Sequence, residues 1–265
     1  MTDRDIKSFD GATLHVRDEG RADGPAVIFS HAIGGDLSMW DAQAEAFGGT
    51  YRVIRYDTRG HGGSDIGGEV HAIDMYAKDA LAVLDALGAG SAHFVGLSQG
   101  AMTGMWLGAH APERIGSLVL ANTTAHIPAY DMLNGWIQSA RAEGLDGLAP
   151  GIMNNWLSAS FKQASPDRAR ALSEGFRTMS AEGFAASCAV LRDSDRREDL
   201  KDIKAPTLVI AGIDDGPMGA AAAQALADGI PGAVRADIPD AAHLSPIENS
   251  AAFNKAVLDF LAAPR

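Results

Sequence analysis

The sequence predicts an α/β fold: a mostly parallel, doubly wound sheet with a helical cap inserted between late strands. Three observations predict it. Along residues 12–121, short apolar runs alternate with helix-period stretches, the order that builds a parallel sheet covered on both faces. A strand-like run, Ala92-His93-Phe94-Val95, meets a helical one, Ala101-Met102-Thr103-Gly104-Met105-Trp106-Leu107, across Gly96-Leu97-Ser98-Gln99-Gly100. Residues 126–199 then hold amphipathic helical stretches without a convincing strand, after which strand character returns.

Each element follows from its local pattern. Residues 12–17 alternate in polarity like a half-buried strand. Residues 26–29 are continuously apolar, which suits a strand covered on both faces. They run into the glycine-bearing turn Ser30-His31-Ala32-Ile33-Gly34-Gly35, and residues 37–47 read as a helix. Residues 51–56 form the next strand and end in Asp57-Thr58-Arg59-Gly60-His61-Gly62-Gly63-Ser64. Residues 73–87 carry apolar side chains at helical spacing and stop at Gly88. Further strands are predicted over 92–95, 117–121, 207–211 and 233–238, with a last helix over 249–261. Gly144, Gly147, Pro150-Gly151 and Pro166 divide the 126–199 stretch into short helices. The expected organisation is a core of residues 1–125 and 200–265 with a cap of residues 126–199.

Composition narrows the function classes. At 265 residues the chain can bury one large core. It is 46% hydrophobic and 21% charged, in the range of soluble globular proteins. The net charge of −12 argues against nucleic acid and anionic membranes as partners. A lone cysteine, Cys188, allows no intrachain disulfide and fits a reducing compartment. The charged start Met1-Thr2-Asp3-Arg4-Asp5 lacks a signal peptide's apolar stretch. A cytoplasmic protein without membrane association is therefore expected. The eight histidines show no metal-site spacing, and there is no G-x-G-x-x-G or G-K-[ST] motif. No metal and no cofactor are expected. The sequence leaves the oligomeric state open.

The chemistry centres on Ser98. Strand, sharp turn and helix with serine at the apex match the G-x-S-x-G nucleophile elbow. Glycines on both sides remove Cβ atoms that would clash in so tight a turn. A serine hydroxyl needs a base to take its proton, and the base needs an orienting acid. In this arrangement the order is nucleophile, acid, base. The 207–211 strand leads into Gly212-Ile213-Asp214-Asp215, at the carboxyl edge where sites form in open sheets. Asp215 is the expected acid, with Asp214 as the alternative. His243, the only histidine after His126, stands before the last helix and is the expected base. An oxyanion hole needs two backbone donors. The N–H groups of Gln99 and Ile33 are expected to supply them. His31 has two readings, a hydrogen-bonding brace for its turn or a side chain of the substrate pocket. The turn holding Asp57, Arg59 and His61 reads as a loop anchor.

These stretches resemble the α/β-hydrolase superfamily, and within it the 3-oxoadipate enol-lactonases. The resemblance is carried by the elbow, by residues 55–64, and by Asp36-Leu37-Ser38-Met39-Trp40-Asp41. It continues in His110-Ala111-Pro112-Glu113-Arg114-Ile115, Leu118-Val119-Leu120-Ala121-Asn122-Thr123 and Ala242-His243-Leu244-Ser245-Pro246-Ile247-Glu248. It implies the α/β-hydrolase fold and a serine hydrolase that opens a lactone or small ester through an acyl-enzyme. Two other readings stay open: a hydrolase-fold ligand receptor with slow turnover, and an esterase or perhydrolase acting on neutral apolar esters. The turn carries His31 where these lactonases usually have Asn. Trp136 stands in the early cap near where a polar or basic residue is expected. The family substrate bears a carboxylate, which is costly to bury without a cation. Trp136 therefore points to an apolar pocket, with Arg192 as the first candidate cation for an anionic substrate.

Overall fold

The strands run β1 (Thr2–Lys7), β2 (Thr13–Gly20), β3 (Ala26–Ser30), β4 (Arg52–Tyr56), β5 (Ala92–Leu97), β6 (Ile115–Ala121), β7 (Thr207–Gly212) and β8 (Val234–Ile238). The computed structural model describes residues 1–68 and 71–263, without the side chains of Pro217 and Met218. The eight strands form one sheet in the order β1-β2-β4-β3-β5-β6-β7-β8. β2 pairs antiparallel with both β1 and β4, and every later pair is parallel.

The central strands β3, β5, β6 and β7 are mostly apolar because both faces are covered. Their side chains alternate between two cores with period two. Val27 and Phe29, Val95 and Leu97, Val119 and Ala121, and Leu208 and Ile210 face one core. On that side lie α1 (Asp41–Phe47), α11 (Ser250–Ala262) and the inserted helices. Ile28, Phe94, Leu118, Leu120 and Val209 face the other. There they meet α2 (Ile73–Ala86), α3 (Gln99–His110) and α9 (Gly216–Gly229).

Between β6 and β7 the chain leaves the sheet for five helices: α4 (Tyr130–Glu143), α5 (Ala149–Trp156), α6 (Ala159–Ala164), α7 (Pro166–Thr178) and α8 (Ala181–Asp193). The two ends of this excursion meet. His126 and Asp195 form an antiparallel bridge, and Arg196 N–H donates to Ala125 O at 2.7 Å. One seat on the core is backbone against backbone. A Cβ on Gly183 of α8 would collide with the Gly60 carbonyl, and one on Gly60 would stand 2.8 Å from Gly183 Cα.

Among the strands and α-helices, three were not predicted. β1 carries Thr-Asp-Arg-Asp and buries only Ile6, opposite Leu14, so it shows no alternation to read. α9 is rich in alanine, a helix former that gives no amphipathic stripe. The short α10 (Ser245–Glu248) lies inside the predicted base loop.

Candidate functional site

The carboxyl ends of β3 and β5 lie side by side, because those strands pair directly. From β3 the chain crosses to β4 on one side, and β5 lies on the other. This is the switch point where open α/β sheets leave a crevice. The elbow after β5 places Ser98 there, half-buried, with φ 55° and ψ −111°. Such a conformation is strained for a residue with a Cβ. It is held by Ser98 N–H donating to Ala121 O at 2.9 Å and by Thr123 Oγ1 donating to Ser98 O at 3.0 Å. The flanking glycines are obligatory. A Cβ on Gly96 would strike the Gly100 backbone, and one on Gly100 would strike the Ser30 carbonyl.

Gln99 opens α3, and Ile33 lies in the turn after β3. Among the described residues, neither backbone N–H has a hydrogen-bond partner. The turn is braced from behind by two buried histidines. His31 Nε2 accepts Thr58 N–H at 2.9 Å, and its Nδ1 lies 2.7 Å from Ala32 O. His61 Nε2 accepts Gly34 N–H at 3.2 Å, and its Nδ1 lies 3.1 Å from Arg59 O. An accepting Nε2 puts the proton on Nδ1 in both rings. His31 therefore braces the turn, and its ring is fully buried. Asp57 accepts Leu37 N–H at 2.7 Å and Gly63 N–H at 2.8 Å, while Arg59 is buried against Asp79.

Asp215 and His243 come together. His243 Nδ1 lies 3.1 Å from Asp215 Oδ2. Burial pushes the Asp215 carboxyl up. The positive form of His243 and hydrogen bonds from His243 and Asn122 outweigh this and hold it below the usual carboxylate range. Asp214 is exposed, and its N–H donates to Ala241 O at 2.8 Å.

Sequence reasoning passed over Asn122 because it is uncharged. It stands at the end of β6 with φ 44°, a conformation Asn tolerates. Its Nδ2 donates to Asp215 Oδ2 and to Ala242 O, both at 3.0 Å. Its Oδ1 accepts the Ser245 hydroxyl at 2.6 Å. The amide thus ties the Asp215 loop to the His243 loop. A small polar residue ending a strand beside the elbow strand was the available signal.

Trp156 was also missed. Its ring lies 5.6 Å from that of His243, and its carbonyl accepts His243 N–H at 3.1 Å. An aromatic row continues from it through Phe176 (6.1 Å) and Phe184 (5.1 Å) to Trp136 (6.2 Å). Trp136 is half-buried in α4 at the far end of this row from His243. Gly34 reaches up to the same rings: a Cβ there would stand 2.6 Å from Phe176 and 3.3 Å from Trp156. A cavity of about 740 Å³ opens beside this contact, lined by Ile33, Met153, Trp156, Leu172, Phe176 and Leu244 among others.

Arg192 is already engaged. Its guanidinium donates to Asp193 and, at 2.8 Å, to Asn134 Oδ1, and it lies over the Tyr130 ring. Burial pushes the Cys188 thiol up to about 12, so it is not a thiolate nucleophile. Among the described residues, no group of three or more His, Cys, Asp and Glu could hold a metal ion. No helix of the described residues is long and apolar enough to cross a membrane.

Known proteins share this arrangement of strands and turns. Residues 25–250 match the alpha/beta hydrolase fold family. The chain is 37% identical to 3-oxoadipate enol-lactonase 2 of Acinetobacter baylyi over 254 residues, covering 96% of this chain and 95% of that one. It superposes on the crystal structure of an enol-lactonase from Burkholderia xenovorans with a TM-score of 0.93 and 34% identity, covering 98% of this chain and all of that one. A thermophilic esterase from Thermogutta terrifontis gives a TM-score of 0.92 at 26% identity, with 98% of each chain covered. The chain belongs to the alpha/beta hydrolase fold family.

Proposed function

We propose that this chain is a serine hydrolase that opens an enol-lactone, or cleaves a small carboxylic ester, through an acyl-enzyme. The observation that carries the reading is the 3.1 Å contact between His243 Nδ1 and Asp215 Oδ2, set on the sheet edge that also presents Ser98 from its elbow. Kinship with proteins named enol-lactonase and esterase supports the substrate class.

The chemistry follows from the placement. Asp215 holds the Nδ1 proton of His243, which leaves Nε2 free to act as base. His243 takes the Ser98 proton as Oγ attacks the substrate carbonyl. The unpartnered N–H groups of Ile33 and Gln99 receive the oxyanion. His243 then gives its proton to the leaving oxygen and activates water to cleave the acyl-enzyme. In an enol-lactone the leaving enol stays tethered to the acyl group. Its conversion to a ketone removes the competing nucleophile and draws the reaction forward.

Residues 126–199 act as a cap over this site, on a core of residues 1–125 and 200–265. The bridged neck at His126 and Asp195 and the contact of Trp156 with His243 support that division. The row of Trp156, Phe176, Phe184 and Trp136 gives the cap an apolar underside, which favours substrates with apolar surface. Arg192 serves an anionic substrate only by leaving Asp193 and Asn134.

The test is a screen of enol-lactones, saturated lactones and short-chain esters with purified protein, ranked by kcat/KM. Multiple turnover with lactones or esters is expected. A single slow turnover with cap rearrangement would replace the enzyme by a ligand receptor.

A further inference from the structure

Glu248 ends α10 as a half-buried carboxylate that accepts three main-chain amides, and the Ser158 hydroxyl also favours its charged form. Its Oε1 accepts Ala242 N–H at 3.0 Å and Leu244 N–H at 3.1 Å, the amides on either side of His243. Its Oε2 accepts Ser158 N–H at 2.7 Å. Ser158 is the last residue of the turn from α5 into α6, where it caps the start of α6 in the helical insertion. Among the described residues, Glu248 pairs with no Lys, Arg or His. Burial pushes its carboxyl above the usual glutamate range, so the site holds a costly group without a cation.

The same loop is also held directly by the insertion, which shares the Leu244 amide with Glu248. Trp156 O accepts His243 N–H at 3.1 Å and Leu244 N–H at 3.4 Å. The two anchors lie two residues apart in the insertion, and both close on the backbone that bears His243. The main chain of the base is therefore registered against α5 and α6 as well as against the sheet.

We propose that Glu248 is a positioning residue for the catalytic base: it clamps the His243 loop to the 156–158 turn, so that the seating of the helical insertion sets the aim of the imidazole. This rests on the reading of His243 as the base of a serine hydrolase. It adds a link that the reading does not contain. The insertion acts on the chemistry through the main chain of the base as well as through pocket walls. A substrate that moves α5 moves His243 with it.

The Ser158 backbone allows a selective test. Its φ of −62° and ψ of 154° suit proline, and Leu157 before it is extended at φ −111° and ψ 134°. S158P removes the amide hydrogen that Glu248 accepts. S158A keeps it, and both variants lack the hydroxyl, so the pair differs at the clamp. E248Q keeps an oxygen for Ala242 and Leu244 but sets an amide N–H₂ against Ser158 N–H.

Turnover of p-nitrophenyl acetate and the downfield Nδ1 proton of His243 in NMR spectra are measured together, with circular dichroism to verify folding. The expected result is a kcat for S158P roughly 10-fold or more below S158A, with KM within about twofold and a shifted Nδ1 signal. E248Q should match S158P, and the double variant should lose no more than either alone, because both cut one contact. If E248Q does not fold, the S158P and S158A pair decides. Equal kcat and an unmoved His243 signal in that pair would overturn the clamp. Wild-type protein that turns over no ester while S158P still shifts the His243 signal would overturn the hydrolase reading and leave the clamp standing.

Discussion

His61 accepts the N–H of Gly34 through Nε2 at 3.2 Å, the residue directly after Ile33. Only a neutral imidazole can accept there. Burial, together with the repulsion a protonated His31 would exert, pushes His61 down to about 3, and burial also lowers His31. The sign for stability follows from linkage. Both groups bind a proton in the unfolded chain below about 6.5 but not in the fold. Their contribution is full above about 6.5 and is lost as pH falls from there toward the folded values. Chemical denaturation between pH 7 and 4 should show stability falling with pH. H61Q should flatten that slope by up to about one proton's worth, roughly 1.4 kcal/mol per pH unit. An unchanged slope in H61Q would remove His61 from the account.

Replacing the nucleophile should leave the fold and remove the reaction. S98A is expected to lower kcat by roughly 10³-fold or more with an unchanged circular dichroism spectrum. A serine-directed phosphonate should label the wild type at Ser98 and leave S98A unmodified, as read by peptide mass. Turnover in S98A near the wild-type rate would end the proposed mechanism.

The two neighbouring aspartates should behave differently. Asp215 contacts His243 Nδ1 at 3.1 Å, whereas the Asp214 side chain is exposed. D215N is expected to cost about 10⁴-fold in kcat, because the amide favours the wrong imidazole tautomer. D214N should cost far less. Steady-state kinetics of the pair checks this, and the reverse order would move the acid by one residue.

The aromatic row should separate into a near end and a far end. W156A removes the ring beside His243 and should lower kcat as well as raise KM. W136A removes the ring beside Phe184, so it should raise KM for apolar esters or lactones several-fold with kcat held. Anionic substrates should respond less to W136A. The kcat and KM of both variants on one neutral and one anionic substrate check the split. Equal patterns for the two tryptophans would dissolve the distinction.

Much of this architecture was legible in the sequence, for a definite physical reason. Strands buried on both faces are mostly apolar, so β3, β5, β6 and β7 stood out as runs. The elbow was legible because its glycines are fixed by sterics. The meeting of Asp215 with His243 was legible because each follows a strand in the expected order. Asn122 was hidden, since hydrogen bonding to a loop 120 residues away leaves no local pattern. Glu248 was hidden likewise: a carboxylate held mainly by main-chain amides looks in sequence like any surface glutamate. Trp136 and Trp156 are each one large ring on a helix of the insertion, and spacing alone cannot say which meets His243. β1 was hidden because only one of its six side chains is buried.

The contact of Gly183 with Gly60 bears on how such a protein can change its diet. The height of α8 above the sheet edge there is set by two main chains in direct touch, with no side chain as spacer. Residues that line the cavity can therefore be exchanged, one ring or one methyl at a time, without shifting α8 at this contact. A single Cβ at position 183 would lift it wholesale. Laboratory evolution toward new esters should accumulate changes along α4, α5 and α7 and leave both glycines untouched.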